Sequence, residues 1–179
     1  MHNFTLFDTA IGRCGIAWSR RGVIGLQLPE KTDEATRLRL QRHCPAAEAS
    51  EPTQEIDRAI DQVAALMRGE KRSLRAIALD MSRVPAFNAR VYEAARAIPP
   101  GQTRTYGEIA RCIGERDGAR AVGQALGRNP FAIIVPCHRV VGADGRMIGF
   151  SANGGIALKL RMLEIEGWTA APTLFDTLV

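Results

Sequence analysis

The spacing of apolar residues changes near Pro85, in the stretch DMSRVPAF, and that change restricts the chain to two differently built parts. Before it, CGIAWS and GVIGLQL are short β-prone runs around RRG, a hairpin with its turn near Arg21 and Gly22. TDEATRLRLQRHC and EIDRAIDQVAALMRG carry helical periodicity. In the second, Ile56, Ile60, Val63 and Met67 share a face and Gly69 supplies a stop. LRAIALD alternates and is predicted to be another strand. After Pro85 the pattern is helical: Phe87, Val91, Ala94 and Ile98 share a face, and PPG at 99–101 ends that helix. The expected architecture is an α/β N-terminal domain over 1–83, with a small mainly antiparallel sheet and helices. A mainly α domain, winged-helix-like, follows over 84–179.

The second part contains a helix-turn-helix candidate. Thr105 and Glu108 have capping-box spacing ahead of a short helix that reaches Cys112 or Ile113, with Gly114 as its stop. ERDG is a turn, and a second short helix spans about Ala119 to Leu126, stopped by Gly127. That helix carries Ala119, Ala121, Gly123 and Ala125, so a backbone can approach it closely. Tight helix packing explains this as well as a nucleic-acid surface does; Arg120, in a basic chain, favours the surface.

With 179 residues the chain can bury a real core, and 46% hydrophobic and 24% charged residues are ordinary globular values, which exclude disordered and fibrous classes. No stretch approaches the apolar length of a membrane span, and MHNFTLFDTA lacks the charge and apolar pattern of a signal peptide. Cys14, Cys44, Cys112 and Cys137 show no close pairing, so free thiols in a reducing, cytoplasmic setting are expected. No metal-ligand spacing joins them to His2 or His43, and neither a metal nor a cofactor is expected. A net charge of +5 permits a polyanionic partner. Residues 104–146 hold seven Arg against four acids, a modest excess.

IIVPCHRVVG raises the chemical question. A buried cysteine at a strand end is the ordinary reading, since free Cys packs as a small hydrophobe. The functional one is a thiolate beside a base, His138, which needs an orienting carboxylate. Glu166, Glu164 and Asp144 are unranked candidates. A carboxylate at a helix C-terminus, as at Glu166, is disfavoured by the dipole, so it is either exposed and idle or faces a cation. A Cys-His hydrolase and a non-catalytic DNA-binding module are the rival readings.

RNPFAIIVPCHRVVG, with its P-C-H-R core, resembles the active-site signature of the O6-alkylguanine-DNA alkyltransferases. The resemblance also takes in AFNARVYEAARAIPPGQTRTYGEIA, GARAVGQALGRNP and LRMLEIEG, roughly the last half of the chain. It implies direct-reversal repair without cofactor: a monomer binds double-stranded DNA, flips the base and takes the alkyl group from O6-alkylguanine, and from O4-alkylthymine, irreversibly onto Cys137. By the same resemblance His138 is the base acting through a water and Glu166 orients it. Tyr106 donates to the leaving guanine, Asn129 braces the site, and Arg120 enters the duplex. Ala119, Ala121, Gly123, Arg128 and Tyr106 complete the DNA-contacting set, and Phe150, Ser151, Val140 and Met147 the guanine pocket. FSANGGIALK is about two residues longer than the family's shorter Y-[SA]-G-G loop, which leaves the preferred adduct size open.

Overall fold

A computed structural model describes residues 2–150 and 152–169; Ser151 lies outside the described residues. Twelve elements follow in order among them: β1 (His2–Thr9), β2 (Gly12–Ser19), β3 (Gly22–Gln27), α1 (Asp33–His43), β4 (Ala47–Ala49), α2 (Gln54–Met67), α3 (Ala86–Arg96), β5 (Arg104–Thr105), α4 (Tyr106–Cys112), α5 (Ala119–Gly127), β6 (Val140–Val141) and α6 (Gly155–Ile165). The first part is a four-stranded sheet in the order β3-β2-β1-β4, in which only the β1–β4 pairing is parallel. The second part is helical apart from the two-residue parallel pair β5–β6.

Local chemistry explains the helix starts. Thr32, Thr53 and Thr105 each accept from the backbone N–H three residues on, and Glu108 completes the reciprocal box at Thr105. Gly69 and Gly114 end their helices in the left-handed region, at φ +92° and +80°. Gly127, in contrast, is the last helical residue of α5, so the stop falls on Arg128.

Two predicted strands are not strands. Over Leu74–Asp80 only Leu79 forms a bridge, to Val23, and the rest of the segment turns. Arg96 reaches over from α3 and donates through one Nη2 to the carbonyls of Leu74, Arg75 and Ile77, which takes the place of a ladder there, while Ala78 and Asp80 bond to Val23. The apolar run before Cys137 coils as well. Ile134 N–H donates to Ala132 O and Val135 N–H to Phe131 O, while Ile133 takes φ +69°. A β-branched residue in that region costs of order 1–3 kcal/mol. The coil buries Phe131, Ile133, Ile134 and Val135 in different directions at once, which an extended strand would not.

One core joins both parts: Ile16, Val23 and Leu26 of the sheet and Val63 and Leu66 of α2 belong to the same buried cluster as Val91, Ile109, Val122 and Phe131. Backbone bonds stitch the same seam, from Leu26 N–H to Pro130 O and from Ala132 N–H to Leu26 O. Tyr92 of α3 anchors α5 through its hydroxyl on Ala125 O at 3.0 Å and meets Phe131 edge-on.

Asn129 closes the coil. Its Nδ2 donates to Val135 O and its Oδ1 accepts from Phe131 N–H, both at 2.9 Å. Asn129→Ala leaves both buried backbone groups unpaired, at about 1–3 kcal/mol each. Urea denaturation is expected to show a lower midpoint with an unchanged slope.

Candidate functional site

The Cys-His pair sits on a single 3-10 turn, Cys137–Arg139, between Pro136 and β6. Cys137 is partly buried, whereas His138 and Arg139 point into the protein. Successive residues therefore face different environments, as they would on a strand, but the turn keeps them on one short segment.

Glu166 settles which carboxylate is paired. It caps α6 and is buried, its Oε1 lies 2.8 Å from His138 Nε2, and Arg139 grips it bidentately with Nε on Oε2 and Nη2 on Oε1. Arg139 also donates to Ile98 O, in the connection that follows α3. Glu164 and Asp144 are exposed. The cation that the position of Glu166 requires is Arg139, for which the sequence reading had no role. A buried carboxylate needs such fork-like donors.

Gly101 completes the surround. It stands at φ +77°, its N–H faces Glu166 Oε2 at 3.4 Å, and a Cβ there would lie 2.8 Å from Glu166 O. Here the PPG sequence does more than stop a helix: it lets the chain pass against the end of α6.

Burial alone would raise the Glu166 carboxyl, but His138 and Arg139 outweigh it and hold it at about 2. Burial pushes His138 down, against the pull of Glu166, so the ring is neutral at pH 7. Neutral His138 donates from Nε2, and its Nδ1, with no hydrogen-bond partner among the described residues, is left as the acceptor. Burial pushes the Cys137 thiol up, opposed by Asn129 and by the Lys159 charge.

Cys137 opens on a cleft of about 940 Å³ whose lining includes Tyr106, Ala119, Arg120, Gly123, Arg128, Asn129 and Phe150. Ala121 is exposed on α5 but does not line it. Val140 is fully buried in the core and Met147 is off the lining; Ile148, half exposed and not anticipated, takes their place. The Tyr106 hydroxyl reaches Ile148 O at 3.4 Å. The cleft also extends onto the first part, at Leu28 and His43.

Fold and site together define a helix-turn-helix protein that carries a cysteine, opening on a cleft, beside a histidine–carboxylate pair. A family model described as the DNA-binding domain of 6-O-methylguanine DNA methyltransferase matches residues 86–168. A methylated-DNA–protein-cysteine methyltransferase of Mycobacterium leprae is 41% identical over 94% of this chain and 96% of its own. The crystal structure of the O6-methylguanine methyltransferase of Mycobacterium tuberculosis is similar with a TM-score of 0.76 at 39% identity, covering 98% of this chain and 100% of that one. A Mycobacterium tuberculosis OGT in complex with DNA matches with a TM-score of 0.75 at 37% identity over 92% of each chain. The chain belongs to the methylated-DNA–protein-cysteine methyltransferase family.

The carboxylate cluster makes stability pH-dependent. Glu166, held at about 2 against roughly 4.3 in an unfolded chain, contributes stability above about pH 4 that is lost as pH falls toward 2. His138, held below its ordinary value, also loses its contribution as pH falls through the mildly acidic range. Melting temperatures measured from pH 8 to pH 2 are expected to fall throughout the acid side. Glu166→Gln leaves Arg139 buried without its anion, at about 3–5 kcal/mol, and its melting curve is flatter below pH 4.

Proposed function

We propose that the protein repairs alkylated duplex DNA directly, moving the alkyl group from O6 of guanine, and from O4 of thymine, onto Cys137 once per molecule. The observation that carries this reading is the placement of Cys137. Its turn also holds the His138–Glu166 pair, and it opens on a cleft that runs along α5. Membership of the methyltransferase family supports it, as does a relative whose structure was solved with DNA. A thiolate is a suitable soft nucleophile for displacement at an sp³ carbon, and the thioether product has no bond labile to water.

Within this reading, His138 Nδ1 takes the thiol proton through a water while Glu166 fixes the ring. Tyr106 turns from Ile148 O to donate to the leaving guanine. Arg120, exposed at the start of α5, fills the gap left by the flipped base, and Ala119, Ala121, Gly123 and Arg128 meet the duplex backbone. Phe150 and Ile148 wall the guanine pocket. Residues 84–179 form the DNA-binding and transfer domain and 1–83 support it. The protein acts as a monomer in the cytoplasm; among the described residues no helix is long and apolar enough to cross a membrane.

Cys137→Ala is expected to bind duplex DNA normally and to remove no methyl from O6-methylguanine. Mass spectrometry of the digested wild type after reaction should find one methyl on the Cys137 peptide; a methyl on Cys14, Cys44 or Cys112 would sink the assignment.

Gly123 separates fold from function. A Cβ there would touch the Tyr106 ring at an ordinary 3.7 Å, so alanine fits the free protein. Gly123→Ala is expected to raise stability by about 0.5–1 kcal/mol through helix propensity. It is also expected to weaken duplex binding, by holding the α5 backbone off the groove. Chemical denaturation and a DNA titration at fixed salt read the two effects separately.

A further inference from the structure

Among the described residues, the cleft in front of Cys137 is lined by three arginines and by no acid. Arg120 and Gln124 lie one turn apart on α5, Arg128 caps that helix four residues on, and all three face the cleft. The basic line continues past the end of the helix. Arg39 and His43 belong to α1, so the far wall of the cleft is the first part of the chain. A second cavity, of about 280 Å³, extends the same course. It shares His43, Arg128 and Pro130 with the cleft and adds Arg83, from the connection before α3.

The charge at this second cavity is not balanced from within. Asp80 is the acid on its lining, and both carboxylate oxygens are engaged: Oδ2 accepts from Ser19 Oγ at 2.7 Å and Oδ1 from Ser82 N–H at 3.0 Å. Arg39 is paired with Glu30 at 3.2 Å. Arg83 and Arg128, in contrast, are exposed and form no ion pair and no side-chain hydrogen bond among the described residues. Neighbouring groups register the positive charge. Burial, then Arg39 and Arg42, push His43 below its ordinary value, and Arg83 opposes the upward push of burial on Cys44. The two walls are also fixed to each other, because Leu26 N–H donates to Pro130 O at 2.8 Å and Ala132 N–H to Leu26 O at 3.2 Å. The arginines on either side of the seam therefore face an anion from a set position.

We propose that one strand of the bound duplex passes the C-terminal end of α5 and crosses the seam onto the first part, with a backbone phosphate seated between Arg83 and Arg128 and against His43. This rests on the reading that duplex DNA lies along α5. A phosphodiester has the chemistry that the cavity lacks: one negative charge and two free acceptor oxygens, which planar guanidinium groups can meet from two sides. From Arg120 to Arg128 is about 12 Å along the helix at 1.5 Å per residue, or roughly three to four nucleotides at 3.4 Å each. The phosphate thus lies a few nucleotides from the flipped base. A contact there fixes the register of the duplex and reads no sequence.

Binding of an undamaged duplex, followed against salt concentration, tests this apart from any alkyl transfer. Loss of one phosphate contact lowers the slope of log K against log salt by about 1. Arg83→Gln is expected to lower it by that amount, and to weaken damaged and undamaged duplexes by the same factor. Arg58, on α2, is exposed and lines neither cavity. Arg58→Gln removes the same net charge and is expected to keep the wild-type slope. An unchanged slope in Arg83→Gln, or one lowered equally by Arg58→Gln, would overturn the proposal. Arg128→Gln on the same duplex keeps two failures apart. If it lowers the slope and Arg83→Gln does not, DNA lies along α5 and stops at its end, and only the crossing onto the first part is refuted. If neither lowers it, the reading of α5 as the DNA-facing helix falls as well.

Discussion

The buried ion cluster around Glu166 is the interaction on which the site depends. One carboxylate joins three chain segments: the end of α6, the turn that carries Cys137, and the 98–101 connection after α3. Arg139 makes this possible by supplying a charge and a planar fork where the helix dipole would otherwise disfavour an acid. With Glu166 ionised and neutralised by Arg139, His138 can remain uncharged and keep a lone pair on Nδ1. Orientation of the base and rigidity of the fold thus come from the same contacts. A change that loosens one loosens the other.

The other half of the site is built by refusing regular structure. Residues 129–139 contain no strand, yet all their strongly apolar members are buried. Asn129 acts as a short brace across the coil, and the left-handed Ile133 accepts strain to aim its neighbours inward. This gives the sulfur a fixed wall without placing it in a sheet, where the backbone around it would be committed to ladder bonds.

Much of this was legible in the sequence where the signal is local. The Thr105–Glu108 box, the α2 face and the two short helices of the helix-turn-helix depend on neighbours within one or two turns, and they stand where periodicity and capping put them. β1 was missed because Phe4 and Phe7 are three apart and pack on opposite faces, so no alternation marks the strand. The 74–80 strand and the apolar run before Cys137 were misread for a shared reason. Arg96 in one case and Leu26 in the other are distant partners of the backbone, and the Asn129 side chain that braces the second run is a polar contact; hydropathy sees neither. Arg139 and Lys159 escaped notice because a charged residue in sequence reads as surface, and only the packed fold shows which cations have been drawn inside. The resemblance in P-C-H-R carried the site residues further than periodicity could.

The seam between the two parts has a consequence for colloidal behaviour. β3 is an outermost strand of the four-stranded sheet, and its free side is occupied by the chain itself: Ala78 and Asp80 bond to Val23, and Pro130 and Ala132 bond to Leu26. An uncovered strand margin is a template for pairing between molecules. The loop that shapes the wall behind the nucleophile is thus also the guard of that margin. Any event that pulls residues 130–132 away exposes Leu26 and its backbone groups to a neighbouring chain. Self-association would then begin at the sheet, remote from the sulfur, and a molecule disturbed at its reactive centre would be removed from solution by its other half.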